Sequence, residues 1–98
     1  MTLNRYATAR DANEPVIVEA LRKAGATVSR LDTPLDLLVG YRRLNLLIEV
    51  KLPLGPRGGE HGSSLTPAQK DFIENWRGQH AIVRSPQEAL RVLADAGR

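Results

Sequence analysis

The sequence contains no cysteine, and aromatic residues make up only 4% of it. The absence of cysteine excludes disulfides, thiolate metal sites and cysteine nucleophiles. No apolar run approaches the roughly 18 residues that a membrane helix needs, and the first residues lack the hydrophobic stretch of a signal peptide. We therefore expect a protein of a reducing, cytoplasmic compartment.

The 98 residues carry a formal net charge of only +3, from 14 Lys and Arg against 11 Asp and Glu. Of the 14 basic residues 11 are Arg, which binds phosphate oxygens better than Lys does. A GC-rich coding sequence would also replace Lys with Arg. Charge alone therefore does not identify the function, and the length predicts a single domain over residues 1–98.

Apolar spacing and turn-forming residues divide the chain into seven elements. Asp11 or Asn13 can cap the first helix, Thr66 the second and Ser85 the third. This order predicts the α/β class, with a mixed sheet of about four strands and three helices packed against it. After a short N-terminal arm (1–10), the elements are a helix (11–24), strands (26–31, 35–39 and 44–52, the last two joined by a reversal at 40–43), a flexible loop (53–64), a helix that Gly78 ends, a strand (81–83) and a last helix.

Three ionisable side chains converge on the predicted hairpin. Because side chains alternate along a strand, Glu49 and Lys51 share one face of their strand, and any register that pairs the apolar faces puts Asp36 beside Glu49. Neighbouring carboxylates repel unless a cation compensates them. The alternative is an ordinary solvated face, but these charges lie on the most hydrophobic strand of the chain, where burying them requires a reason.

Two further polar residues begin apolar helical stripes that should face the same sheet. Glu14 precedes the stripe of the first helix, and Gln69 precedes the stripe of Phe72, Ile73 and Trp76. Both also have the spacing of a capping box, with Asp11 and Thr66 respectively, which would explain them by backbone amides alone. Both alternatives stay open.

Together these residues resemble the PD-(D/E)xK nuclease superfamily, and most closely its small VRR-NUC type nucleases of phages and bacteria, with Holliday junction resolvases as more distant relatives. The resemblance covers about residues 10–93. One departure is that Leu35 separates the Pro from the Asp. The motifs are Pro34-Leu35-Asp36, then Glu49-Val50-Lys51 on the following strand, then Leu65-Thr66-Pro67-Ala68-Gln69 at the start of a helix, preceded by the helical Glu14.

The resemblance implies a restriction-endonuclease-like fold and a DNA endonuclease that depends on Mg²⁺, with Mn²⁺ able to substitute. Asp36, Glu49 and the carbonyl of Val50 are suitable oxygen ligands for such an ion. Lys51 would then position the attacking water and stabilise transition-state charge. Glu14 would bind a second ion or a metal-bound water, and Gln69 would orient a carboxylate or Lys51.

The expected partners are DNA and a second copy of the chain in a homodimer, in a bacterial or phage-infected cell. The candidate phosphate contacts are Arg10, Arg42, Arg43 and Arg57, and the best substrate by family likeness is branched DNA such as a Holliday junction. Trp76 is expected in the core rather than as a platform for bases. The alternatives are a non-catalytic nucleic-acid-binding or assembly module on the same scaffold, and a nuclease subunit that acts with a larger partner.

Overall fold

The computed structural model describes residues 11–53 and 65–96, which form an α/β fold. The N-terminal arm and residues 54–64 of the predicted loop lie outside these ranges. The predicted order of helix, three strands, helix, strand and helix is confirmed. No helix in the described part of the chain has the length and apolar character to cross a membrane. The elements are α1 (Glu14–Lys23), β1 (Thr27–Arg30), β2 (Leu37–Tyr41), β3 (Leu44–Val50), α2 (Pro67–Asn75), β4 (His80–Val83) and α3 (Pro86–Asp95).

The four strands form one mixed sheet in the order β1-β2-β3-β4. β2 pairs antiparallel with both β1 and β3, whereas β4 runs parallel to β3. The register pairs Leu37 with Ile48 and Val39 with Leu46, so the apolar faces of the hairpin coincide as the alternation predicts. β3 therefore lies between two strands and is an interior strand of the sheet.

The hydrophobic core lies on one face of the sheet, between the strands and helices α1 and α3. The residues from Leu46 to Val50 are all buried, which confirms the expectation that β3 is covered on both faces. α1 ends in a Schellman motif, in which the amide of Gly25 donates to the carbonyl of Arg22 and that of Ala26 to the carbonyl of Leu21. The core consists of Ile17, Val18, Leu21, Ala26, Leu37, Val39, Leu46, Ile48, Val50, Val83, Ala89 and Leu93.

The second strand and its turn differ from the prediction. The strand continues to Tyr41, so that the reversal is a two-residue turn at Arg42 and Arg43 and not a four-residue one. Both arginines have positive φ, 51° and 68°, as a type I′ turn requires. The prediction was wrong because Arg-Arg carries no signal for this turn, which ordinarily favours Asn-Gly. The strand also starts later than predicted, so that Asp36 immediately precedes it.

The apolar side chains of α2 are less buried than the stripe predicts. None of its residues is buried, and Trp76, which caps its C-terminal end, is 40% exposed. The rings of Phe72 and Trp76 stack with centroids 5.2 Å apart. The Nε1 of Trp76 donates to the carbonyl of Gln79 at 3.1 Å, which holds the indole at the end of the helix and keeps it out of the core. The prediction of a core Trp76 was wrong.

The Arg-Arg turn gives a test of backbone strain. Replacing it by Asn-Gly (Arg42→Asn with Arg43→Gly) should raise the free energy of unfolding by about 1 kcal/mol, because Asn and Gly tolerate positive φ better than Arg does. Urea denaturation measures the change. The control, Arg42→Ala with Arg43→Ala, removes the same charges but keeps a Cβ at both positions, so it should not stabilise the protein. Equal stability of the two double variants would contradict the strain argument.

Candidate active site

The charged residues of β3 lie on the face of the sheet opposite α1 and α3. Glu49 is only 2% exposed, and Lys51, just past the end of the strand, is 8% exposed. Glu49 alternates with Ile48 and Val50, which belong to the core on the other face. Two ionisable side chains are thus buried at the end of an interior strand, where desolvation makes an uncompensated charge costly.

One oxygen of Glu49 is held by two donors. The Oε2 atom lies 3.3 Å from the Nζ of Lys51 and accepts a 2.7 Å hydrogen bond from the Nε2 of Gln69. The Oε1 atom is buried and has no hydrogen-bond partner among the described residues. The carboxylate is therefore fixed in orientation through one oxygen, while the other has no hydrogen-bond donor of its own in the described part of the chain.

Asp36 is fixed beside the same strand end. Its Oδ2 atom accepts a 2.8 Å hydrogen bond from the backbone N–H of Val50. In an extended strand the N–H and C=O of one residue lie on the same edge, so the carbonyl of Val50 also faces the side of β3 on which Asp36 lies. The expected proximity of Asp36 to Glu49 is therefore present, and the two carboxyl groups interact directly.

The acidic cluster formed by Asp36 and Glu49, with Lys51 beside it, mainly shifts the pKa of Glu49. Burial, followed by the negative charge of Asp36, raises the pKa of Glu49 from 4.5 to about 7, against the opposing effect of Lys51. Loss of solvation and a like charge both favour the neutral carboxyl group. A strongly shifted acid beside a second acid and a buried cation is typical of a functional site.

Gln69 satisfies both of the interpretations that its position allows. Its Oε1 accepts from the amide of Thr66, and the Thr66 side chain accepts from the amide of Gln69, which completes the capping box at the start of α2. Its Nε2 at the same time donates to Glu49. The two ends of one side-chain amide thus join the start of α2 to the carboxylate on β3.

Glu14 is buried as its helical stripe predicts, with 2% exposure, but it belongs to α1, on the other face of the sheet. Its Oε2 atom accepts a 3.0 Å hydrogen bond from the Nε of Arg30 on β1. Asn13, and not Asp11, occupies the N-cap position of α1, and its side chain makes no capping bond. The structure therefore pairs Glu14 with an arginine on the α1 side of the sheet.

Three residues near these carboxylates have roles that the sequence did not predict. Asn13, considered only as a cap, donates from Nδ2 to the carbonyls of Lys51 and Arg84. Arg30, not singled out, is on the strand beside β2 and could have been found by extending the strand alternation to the first strand. Asp11 has a raised pKa because of burial and the charge of Asp36, so it also belongs to the electrostatic environment of the cluster.

The candidate phosphate-binding arginines are not gathered around the cluster. Arg42 and Arg43 are exposed at the hairpin turn, roughly six residues and about 20 Å along β3 from Glu49 at ordinary strand rise. A duplex rising 3.4 Å per base pair covers that distance in about six base pairs, so a bound duplex can still reach both ends. Arg10 and Arg57 lie outside the described residues.

The donor set fits a hard divalent cation. Asp36 and Glu49 offer carboxylate oxygens, one of them buried and without a partner, and Val50 offers a backbone carbonyl on the same side. Mg²⁺ prefers such oxygen donors and retains several waters. Within residues 11–53 and 65–96 no group of three or more His, Cys, Asp or Glu side chains is arranged to hold a metal. A site here would therefore need the carbonyl and water as further ligands.

Comparisons with protein-family models, with curated proteins and with solved structures find no match. The functional interpretation therefore depends on the geometry of the site.

The raised pKa of Glu49 predicts a pH-dependent loss of stability in the metal-free protein. The folded state keeps a proton that the unfolded state loses near pH 4.5, so this contribution is present below pH 4.5 and is lost as the pH rises to about 7. Relative to wild type, Glu49→Gln should therefore gain about 1–3 kcal/mol in free energy of unfolding between pH 4.5 and 8. Urea denaturation across this range measures the difference, and a difference that does not change with pH would contradict the prediction.

Proposed function

We propose that the chain is a metal-dependent DNA endonuclease of the PD-(D/E)xK superfamily, of the small VRR-NUC type, which hydrolyses phosphodiester bonds. The observation that carries the proposal is the buried, unpaired Oε1 of Glu49, whose carboxyl group interacts with both Asp36 and the cationic Lys51. A binding surface alone has no use for a desolvated carboxylate that is fixed through one oxygen and open at the other. Phosphodiester hydrolysis uses such a carboxylate, because the reaction needs an anionic site that holds a divalent cation.

Asp36, Glu49 and the carbonyl of Val50 would hold the cation, Mg²⁺ with Mn²⁺ as a substitute. When bound, the cation supplies Lewis-acid stabilisation of the charge on phosphorus and a more acidic water. The backbone N–H of Val50 keeps the Asp36 carboxylate in place, since it donates to Oδ2 and leaves Oδ1 for another ligand. Lys51 and Gln69 hold the Oε2 of Glu49, so that Oε1 is directed as a ligand.

Lys51 has the position needed to stabilise negative charge in the transition state. Its ammonium group contacts Glu49 at 3.3 Å and is nearly buried, where low effective dielectric strengthens electrostatic interactions. We therefore assign Lys51 electrostatic stabilisation and the orientation of the attacking water. Glu14 would have a less direct role. Its carboxylate, oriented by Arg30, would contact water bound to a metal ion.

The proposed substrate is branched or structured DNA such as a Holliday junction, and the proposed assembly is a homodimer. One copy supplies one acidic cluster, so cutting both strands of a duplex or junction calls for two copies. Arg42 and Arg43 would contact phosphates at a distance from the cleavage point. We place this activity in the cytoplasm of a bacterium or of a phage-infected cell.

The proposal is tested by incubating the protein with supercoiled, linear, flap and four-way junction DNA in Mg²⁺, Mn²⁺ or EDTA. We expect cleavage with either metal and none with EDTA. Glu49→Gln and Lys51→Met, which are close in size to the native residues, should lower the cleavage rate about 10²- to 10⁴-fold, while binding to the same DNA in Ca²⁺ is retained.

Each other outcome of this assay excludes part of the proposal. Metal-independent DNA binding without cleavage would identify a non-catalytic nucleic-acid-binding or assembly module. Cleavage that appears only after a helicase or other partner is added would identify a nuclease subunit. Variants that cut as fast as wild type would show that the acidic cluster is not the active site.

Gln69 allows its two bonding functions to be separated. Gln69→Glu keeps an acceptor that can complete the capping box, but it presents a carboxylate to Glu49 in place of an N–H donor. We expect cleavage to slow about tenfold while the helix content of α2 is preserved. Thr66→Ala is the complementary control: it removes the side-chain cap, which costs about 1 kcal/mol of stability, and leaves the bond to Glu49. Cleavage rates and circular dichroism measure both, and an equally slow Thr66→Ala would assign the effect to the helix.

A further inference from the structure

Asn13 occupies the N-cap position of α1 but does not cap the helix. Asn is among the preferred N-cap residues because its side-chain oxygen accepts from the amides of the first turn. Here the backbone of Asn13 is in the right-handed helical region, with φ −86° and ψ −3°, and its side chain makes no capping hydrogen bond. A helix-capping hydrogen bond is thus absent at a residue whose side chain is well suited to make it.

The side chain of Asn13 instead donates to two distant segments. Its Nδ2 atom hydrogen-bonds the carbonyl of Lys51 at 3.0 Å and that of Arg84 at 2.9 Å. These residues directly follow the parallel strands β3 and β4, whose last bond is from the amide of Lys51 to the carbonyl of Val83. Since both acceptors are carbonyls, the pair of bonds uses the two N–H donors of the amide, and the side-chain oxygen of Asn13 could not make them.

We propose that Asn13 is a positioning residue, which holds the ends of β3 and β4 against the start of α1. It thereby fixes Lys51 relative to Glu14, the next residue along the helix. This inference rests on the proposed function, because it assigns to Asn13 the alignment of the metal-binding and charge-stabilising groups.

The two bonds join the start of α1 to the ends of β3 and β4. Glu14 reaches the site from α1 on one face of the sheet, while Glu49 and Lys51 belong to β3 and its end. Asn13 is bonded to the backbone of Lys51 itself, so a shift of α1 would move the residue whose Nζ contacts Glu49. A residue that acts through ligands in this way typically changes metal affinity when it is removed.

The test measures Mn²⁺ binding without DNA by calorimetry. Asn13→Ala should weaken binding about tenfold, because the ligands are no longer held in register. Two matched controls should bind within about twofold of wild type. Asn75→Ala removes an asparagine whose Nδ2 bonds only within α2, to Asp71, and Leu93→Ala destabilises the core in α3 away from the site.

A second measurement separates failure of this inference from failure of the proposed function. Amide hydrogen exchange at Lys51 should be faster in Asn13→Ala than in Leu93→Ala, when the two variants are compared under conditions that give them equal global stability. If the wild-type protein does not bind Mn²⁺, the proposed function and the alignment role of Asn13 are both overturned. Normal Mn²⁺ binding by Asn13→Ala, or unchanged exchange at Lys51, would overturn the assignment of Asn13 alone.

Discussion

The structure around the candidate site depends on the burial of one carboxylate, that of Glu49. β3 is an interior strand covered on both faces, so an acid placed near its end loses solvation, and its pKa rises to about 7. Two donors, Lys51 and Gln69, compensate only one of its oxygens. α2 buries none of its own residues, so its bond from Gln69 to Glu49 is a principal link to the sheet.

Much of this arrangement could be predicted because strand alternation is a local property. The partition of apolar and charged residues along the hairpin predicts that Asp36 and Glu49 are neighbours, and the interaction between their carboxyl groups shows that they are. The reversal was predicted but its two-residue form was not, since the positive φ of Arg42 and Arg43 is imposed by the pairing of the strands and not by the residues themselves. Propensity is here overridden by tertiary pairing.

Interactions that join distant segments left weaker signals in the sequence. Gln69 offered a cap or a site residue as alternatives, yet an amide has chemically different ends and serves both. Asn13 bonds partners 38 and 71 positions away, and no local spacing encodes them. In both cases the sequence identified a polar residue at a helix start, and only the packing of helix against sheet showed where its second group points.

One face of the sheet builds the hydrophobic core, and the other carries the candidate active site. Even-numbered positions of β3, such as Ile48, build the core with α1 and α3, whereas the odd-numbered Glu49 lies on the face that α2 covers incompletely. On that face Leu38 is 41% exposed, and Ile82, the register partner of Glu49, is 38% exposed. A carboxylate can therefore be desolvated by its own neighbours while the surface beside it stays open. A long polymer such as the proposed DNA substrate requires an open surface beside the carboxylate, because it cannot enter a closed pocket.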